Sequence, residues 1–568
     1  MHISRRGLLA VSAAAPLAPK VALGAATVPV PDYLITRLQQ HGVKHLFGVP
    51  GATCDALFAA AASVLDVVVT ASDLEAGYAA DAYARVKGLS AVSVTYGVGT
   101  LSLIAPIAGA FVERSPVVII NGGPSAEDLR IQKEAGSLFS HSNGREKSDL
   151  TMFREVTAYA GRAATPDEVP KVVDAALTAA LTQQRPAYIE IAKHLWDAKC
   201  AAPGDALTPT IAPSGQEAQL ASKLQATLAA AKKPAVLVGI EVQRLGLVDQ
   251  VTKFLSMTGL PWATTFLAKG VLSEKTPGFV GVYGGERSTP EAKRLIEDAD
   301  AVLALGPILG RQYRRLATKG TAMVAVDGAV RIGKQTTNAA LAHLMAALSS
   351  LTWTKASAAS LADLSFDARR ASLKATAKTS KALTYDEVLS AVSKSLDDES
   401  FVVTDTSLSM YPAAELDLSR GSSFMCNAVW QAIGFSVAAS VGVAIAGSKR
   451  PLVICGDGGF QMTAQALSTM ARRQLPCTVL VLDNAIYGIE QFLLDASFFK
   501  DGSRPPKKYL ELNAWKYTQL ATAFGVANTA AVATVEQLTS ALAAAKSAKG
   551  PTLIQVALSP RDLPAGLS

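Results

Sequence analysis

Cys455-Gly456-Asp457-Gly458-Gly459-Phe460-Gln461 follows directly on the apolar run Arg450–Ile454 (RPLVI), and 27 residues after Asp457 a second run, PCTVLVLD, closes on Asn484. Both runs are short, apolar and rich in β-branched residues, the pattern of strands buried on both faces of a parallel sheet. Asp457 and Asn484 then stand at the C-terminal ends of two strands, the edge at which open α/β sheets hold their ligands. The glycines let backbone N–H groups approach phosphate oxygens, and the helix that follows offers its positive end. One carboxylate, one amide oxygen and a loop carbonyl suit Mg²⁺, a hard cation that takes its remaining ligands from diphosphate and water. Gly-Asp-Gly alone is an ordinary turn. The asparagine at this spacing, after a second strand, is what makes the pair specific.

Reading outward, apolar runs alternate with Ala-rich helical stretches along the whole chain, which implies βαβ units. Residues 30–200 hold HLFGVPG, DVVVTA, SAVSVTYG, SPVVIING and PAYIEIA; residues 216–350 hold PAVLVGI, DAVLALG and AMVAVDG. Residues 382–568 hold FVVTD, the two runs above and PTLIQVAL. Ala201–Gly215, rich in Pro, Ala and Thr, reads as a linker, and Lys355–Lys381 as a polar helical connection. The expected fold is α/β: three consecutive doubly wound parallel-sheet domains.

Charged residues make up 18% of the 568 and hydrophobic residues 49%, a balance that suits a large, closely packed enzyme rather than a disordered chain. The net charge is +7, and Arg5, Arg6 and Lys20, in an acid-free stretch of 26 residues, leave +4 for the rest. That is a mild bias toward anionic small molecules. No basic stripe interleaved with aromatics is present, so nucleic acid is not expected as a partner. Cys54, Cys200, Cys426, Cys455 and Cys477 are scattered without a CxxC pair, which excludes a disulfide framework and a cysteine zinc site.

Residues 1–26 have the parts of a signal peptide: a basic start, an apolar run from Gly7 to Leu17 too short to span a bilayer, and small residues around Ala22–Ala26. Ser4-Arg5-Arg6-Gly7-Leu8-Leu9 resembles the twin-arginine export motif. Cleavage near Ala26 and a periplasmic address are expected, with no transmembrane segment.

The two strand-end motifs resemble the signature of thiamine-diphosphate enzymes, and the resemblance extends over essentially all of the chain after the leader. It is closest to the pyruvate and indolepyruvate decarboxylase branch. The residues that carry it are FGVPG (Phe47–Gly51), DAYARVKG (Asp81–Gly88), TYGVGTLS (Thr95–Ser102), Ala110–Pro124, GDGGFQMTAQ (Gly456–Gln465) and NAIYGIEQ (Asn484–Gln491). The resemblance implies pyrimidine-binding, central and diphosphate-binding domains in that order. It also implies a homodimer or homotetramer in which the cofactor lies between the first domain of one subunit and the third of its partner. It places Asp457, Asn484 and the Ile486 carbonyl on the metal, Gly456, Gly458 and Gly459 at the diphosphate, and Ile433 under the bend of thiamine diphosphate. Glu490, two residues after Tyr487-Gly488, matches the decarboxylase glutamate facing the reacting carbon. His141 matches one member of the branch's paired-histidine loop.

Three positions depart from that pattern. The carboxylate that supports the aminopyrimidine ring lies ten residues before the tyrosine of DAYAR, which is Asp73 rather than a glutamate; Glu75 would serve only after a register change. Ala52 stands where the decarboxylases have an aspartate, and Ser140 where they have the first histidine. The implied proton relay shrinks to His141 and Glu490. Loss of CO₂ needs no protein acid, because the thiazolium is the electron sink. The expected reaction is non-oxidative decarboxylation of a 2-keto acid, such as a keto sugar acid, to an aldehyde and CO₂. Glu490 speaks for it. Ala52 and Ser140 speak for a carboligase of the acetolactate synthase type, and loss of the relay altogether would leave a thiamine-diphosphate-binding protein without turnover.

Between Glu490 and the next shared motif, Asn513–Tyr517, the chain carries about ten more residues than its resemblance calls for, in FLLDASFFKDGSRPPKKYLEL. Pro505-Pro506 forbids a helix through its middle. Lys500, Arg504, Lys507 and Lys508 make it either a solvated loop or a basic rim that attracts anionic keto acids.

Overall fold

A computed structural model describes residues 26–356, 382–418, 423–447, 449–565 and 567. The segment read as a signal peptide, apart from Ala26, and most of the Lys355–Lys381 connection lie outside the described residues.

The first domain opens with β1 (Thr27–Pro29), carries β2 (His45–Gly48), β3 (Asp66–Val69), β4 (Ser90–Ser93), β5 (Val117–Gly123), β6 (Tyr159–Ala163) and β7 (Ala187–Ala192), and ends in β8 (Lys199–Ala201). Strands β2 to β7 form one parallel sheet in the order β3-β2-β4-β5-β7-β6, while β8 returns antiparallel to β1. Every residue of β5 and β7 is buried, which is why these strands are mostly apolar on both faces rather than alternating, with Asn121 and Glu190 as the buried polar exceptions.

The central domain holds β9 (Pro234–Val238), β10 (Trp262–Thr265), β11 (Phe279–Tyr283), β12 (Ala301–Leu305) and β13 (Ala322–Val326), then β14 (Ala329–Ile332) and β15 (Gln335–Asn338). Its order is β11-β10-β9-β12-β13-β14-β15, and the last two strands are antiparallel. This hairpin edge departs from the purely parallel expectation. Asp327 at φ 54° and Gly328 at φ 72° turn the chain straight back, the left-handed pair that a two-residue hairpin loop requires.

The third domain holds β16 (Ser400–Thr404), β17 (Phe424–Cys426), β18 (Arg450–Gly456), β19 (Thr478–Asp483), β20 (Asn528–Val532) and β21 (Thr552–Ala557), all parallel, in the order β17-β16-β18-β19-β21-β20. Counted within its domain, this order repeats that of the first sheet. Three doubly wound α/β domains therefore make up the chain. No helix among the described residues is long and apolar enough to cross a membrane.

First and third domains are joined through helices Asp73–Lys87 and Phe435–Ala446, whose buried faces share one core. At the crossing, a Cβ on Gly442 would overlap the carbonyl of Ala79, so only glycine allows this approach. Beside it, buried Arg85 pairs with Asp81 and Glu113 at 2.8 Å each and donates to the Cys426 carbonyl at 3.2 Å. Glu113 in turn accepts the N–H groups of Val429 (2.7 Å) and Trp430 (3.0 Å). The desolvation of these charges is offset only because every one of them is paired.

Candidate active site

In the third sheet the strand order reverses between β16 and β18, so the crevice outside their C-terminal ends is the switch point of the fold. Asp405 follows β16, Asp457 follows β18, and Asn484 follows β19. Asp457 begins the helix Asp457–Thr463. Its Oδ1 accepts the Gly458 N–H (2.9 Å) and its Oδ2 the Ala485 N–H (2.7 Å). Burial, with Asp483 nearby, pushes its carboxyl up to about 7. Asn484 Oδ1 accepts the Ile486 N–H (3.2 Å), and its Nδ2 donates to the Tyr385 hydroxyl (3.1 Å). Ala485, at φ 59°, turns the loop so that the Ile486 carbonyl accepts from Gly488 N–H at 2.7 Å. Each of these oxygens retains a lone pair after its backbone contact. The donor set is all oxygen with one buried negative charge, which fits a hard divalent cation.

Close approach constrains Gly458 most in this motif and Gly459 less. A Cβ on Gly458 would run into the Tyr487 ring, and one on Gly459 would lie 3.1 Å from the Asp405 carboxyl. Asp405 is buried and was not singled out from the sequence. Its Oδ1 accepts the Gly434 N–H (3.1 Å), and its Oδ2 accepts from Ser436 N–H (3.0 Å) and Oγ (2.7 Å). Burial raises its carboxyl while the Ser436 and Gly434 groups lower it. These bonds fix the left-handed turn at Gly434 (φ 82°) and with it Ile433, which lines the crevice. The end of FVVTD was the available signal, since it sets an acid at the same sheet edge as Asp457.

Ile433, Gly456, Asp457, Gly458, Gly459, Asn484, Ile486 and Glu490 all line one cavity of about 820 Å³. Glu490 lies in the first turn of helix Gly488–Leu494 and is exposed. The far wall comes from the central domain, through Gly284–Arg287 after β11 and Arg311–Arg315 after β12.

Asp73 and His141 do not line this cavity, and neither does any other described residue of the first domain. They lie elsewhere. Asp73 opens its helix after the Ser72 cap, with Oδ1 3.0 Å from where a Gly99 Cβ would stand. His141, exposed and at φ 67°, lies against Gly97, whose added Cβ would be 2.5 Å from the His141 carbonyl and 3.0 Å from its Cβ. The two residues therefore flank the Gly97–Gly99 turn, which buried Asp149 holds by accepting the Gly97 N–H at 2.9 Å. Burial raises the Asp73 carboxyl. Glu75 points elsewhere: it is fully buried, accepts the Ala71 N–H at 2.9 Å, and lies under the third domain of the same chain near Thr469 and Arg472. Burial, partly offset by those neighbours, pushes Glu75 up to about 7.

The extra segment after Glu490 is not a free loop. Phe498 and Leu510 bury themselves against Ile486, Tyr487 N–H donates to the Leu510 carbonyl (2.9 Å), and Leu512 N–H to that of Ala485 (3.0 Å). Arg561 lies 4.3 Å over the Phe498 ring and donates to the Asp501 carbonyl at 2.9 Å. Arg504 is paired with Asp495 at 3.2 Å, and none of Lys500, Arg504, Lys507 and Lys508 lines the cavity. The segment props the Asn484–Tyr487 loop from behind, and the basic rim read from its sequence is not at the cavity wall.

Three family descriptions match in series: the N-terminal TPP binding domain of thiamine pyrophosphate enzymes over residues 29–142, the central domain over 221–351 and the C-terminal TPP binding domain over 406–556. A pyruvate decarboxylase of Neurospora crassa is 30% identical over 555 residues, covering 94% of each chain. An alpha-keto-acid decarboxylase of Mycolicibacterium paratuberculosis is 30% identical over 559 residues, covering 95% of this chain and 96% of its own. One from Mycobacterium tuberculosis is 29% identical over 557 residues, covering 94% and 95%. The chain belongs to the thiamine-diphosphate-dependent 2-keto acid decarboxylases. It is accordingly a carboxy-lyase whose cofactor is thiamine diphosphate.

Proposed function

We propose that this enzyme, exported through the twin-arginine pathway, decarboxylates a 2-keto acid of the keto sugar acid class to an aldehyde and CO₂ in the periplasm. The observation that carries the decarboxylase reading is Glu490 in the same cavity as Asp457, Asn484, Ile486 and Ile433. Mg²⁺ is the cation that Asp457, Asn484 and the Ile486 carbonyl would hold, with the diphosphate against Gly456, Gly458 and Gly459. Thiamine diphosphate supplies the electron sink for CO₂ loss when bound. With the cofactor bound, Asp73 would hold a proton at its aminopyrimidine, Ile433 would support it from below, and Glu490 or His141 would deliver the proton that allows the aldehyde to leave. Asp73 and His141 lie on a different edge of the chain from the other residues, which supports a homodimer or homotetramer with sites completed between subunits.

The test is CO₂ release from short, aromatic and sugar-derived 2-keto acids, with and without thiamine diphosphate and Mg²⁺. Aldehyde and CO₂ in equal amounts, dependent on both additions, are expected. An acyloin as the sole product would favour carboligation, the reading that Ala52 and Ser140 support. Full activity after exhaustive removal of both additions would sink the assignment.

A further inference from the structure

The cavity has two chemically different walls. On the third-domain side stand Asp457 and Glu490; on the central-domain side stand four arginines, Arg287, Arg311, Arg314 and Arg315, and one acid, Glu286. Arg315 is taken up by Glu286 (2.7 Å) and Glu297 (2.8 Å), and Glu286 also pairs with Lys293. The other three arginines have no carboxylate partner among the described residues. Arg287 lies 4.3 Å over the ring of Tyr411, which itself lines the cavity, so its guanidinium is held by a cation–π contact.

The two arginine loops are seamed together. Gly285 sits at φ 66°, and a Cβ there would overlap the Gln312 carbonyl, so the loop of Arg287 and the loop of Arg311 meet without an intervening side chain. Gln312 Nε2 also donates to the Ala428 carbonyl of the third domain at 3.4 Å. The cations are thus presented on a supported surface facing Glu490 and the metal-ligand loop.

The carboxylate lost as CO₂ is a poor explanation for them. Its charge disperses as the C–C bond breaks, so a guanidinium bound to it would stabilise the ground state more than the transition state. The cofactor diphosphate has its own donors in the glycine turn, the helix start and the cation at Asp457. We propose that the keto acid decarboxylated here carries a second anionic group, a carboxylate or a phosphate, at the end remote from the keto carbon, and that Arg287, Arg311 and Arg314 hold it. This rests on the assignment of the Glu490 cavity as the decarboxylation site. It narrows the substrate to acids charged at both ends, such as keto sugar acids oxidised at both termini.

Two measurements on the holoenzyme test it. In the first, CO₂ release is compared between 2-ketoglutarate, 2-ketovalerate, which has the same carbon chain with one carboxylate, and the analogue with a terminal phosphonate. A preference of at least about tenfold in kcat/KM for a doubly charged acid is expected. Whichever of carboxylate and phosphonate is preferred identifies the anion. In the second, calorimetric binding of unreactive glutarate is compared in the parent and in Arg287→Gln, Arg311→Gln, Arg314→Gln and the triple variant. Weakening of about tenfold or more in the triple variant is expected, with the selectivity ratio falling toward one. A parent that prefers 2-ketovalerate overturns the proposal while leaving the decarboxylase assignment standing. So does a triple variant that keeps its glutarate affinity, or one whose main defect is the KM for thiamine diphosphate. No CO₂ from any keto acid would overturn both.

Discussion

Asp73 and Glu75, two residues apart at the start of one helix, have opposite surroundings, and substitution separates their roles. Asp73→Asn removes the carboxylate beside Gly99 and is expected to cost at least about 100-fold in activity, with little change in stability. Glu75→Gln is expected to act on stability instead. Between pH 4.5 and about 7 the folded chain keeps a proton on Glu75 that the unfolded chain has released. This group therefore costs stability progressively as the pH rises through that window and costs nothing below it. Urea unfolding of the parent should weaken across the window relative to Glu75→Gln, the variant gaining up to about 3 kcal/mol at pH 8. If Glu75→Gln proves the inactivating change and Asp73→Asn is benign, the register counted from Tyr83 is two residues out. Asp457 and Asn484 could be picked out in the sequence because each ends a strand whose own residues announce it. Asp405 was within reach of the same reading, because FVVTD ends on it, but the cavity arginines were not, because what they do depends on neighbours tens to hundreds of residues away.

Phe498 shows how an inserted element can act without touching substrate. It is 1% exposed and packs on Ile486, whose carbonyl belongs to the proposed cation set. Phe498→Ala should open a cavity behind that loop, a change that costs about 3–5 kcal/mol in a well-packed core. Here the cluster is small and local, so the loss should appear as a raised KM for Mg²⁺ and thiamine diphosphate more than as a lowered kcat. Magnesium titration of the variant checks this, and an unaltered titration would reduce the segment to a surface loop. The sequence announced that the segment was extra and basic. It did not announce that Phe498 and Leu510 fold back under Ile486, since an isolated phenylalanine in a loop carries no periodic signal. The central hairpin was missed for the opposite reason: the Asp327-Gly328 turn was present, but AMVAVDG was read only as one more strand of a parallel sheet.

The proposed catalytic residues fall at two edges of the chain, and a second copy is the proposed means of joining them. Asp73→Asn and Asp457→Ala should each be inactive alone. Unfolded together and reassembled, about half of the dimers should be mixed, with one intact site in two, returning about a quarter of the parent activity. A mixture as inactive as its components would show that each chain completes its own site. On export, Arg5→Lys with Arg6→Lys should leave an unprocessed precursor in the cytoplasm. Unchanged periplasmic recovery would remove the proposed address and leave the chemistry untouched. At this scale the fold class was legible, because sheets covered on both faces write themselves as repeated apolar runs. The proposed division of the site between copies was available only through the family resemblance, since nothing in a linear motif says which copy of a domain faces it.

The strand pair that closes the first domain bears on when the proposed leader could be removed. β1 begins at Thr27, and the Ala26 carbonyl already accepts the Ala202 N–H at 2.9 Å, so the bond after Ala26 is stitched to the folded body. A peptidase needs its substrate extended and unpaired over several residues. Trimming at Ala26 must therefore either peel this short edge away or fall a few residues upstream, leaving a small overhang. For cargo that crosses already folded, the upstream cut has the lower barrier, and a mature N-terminus between Ala22 and Ala25 would be its mark.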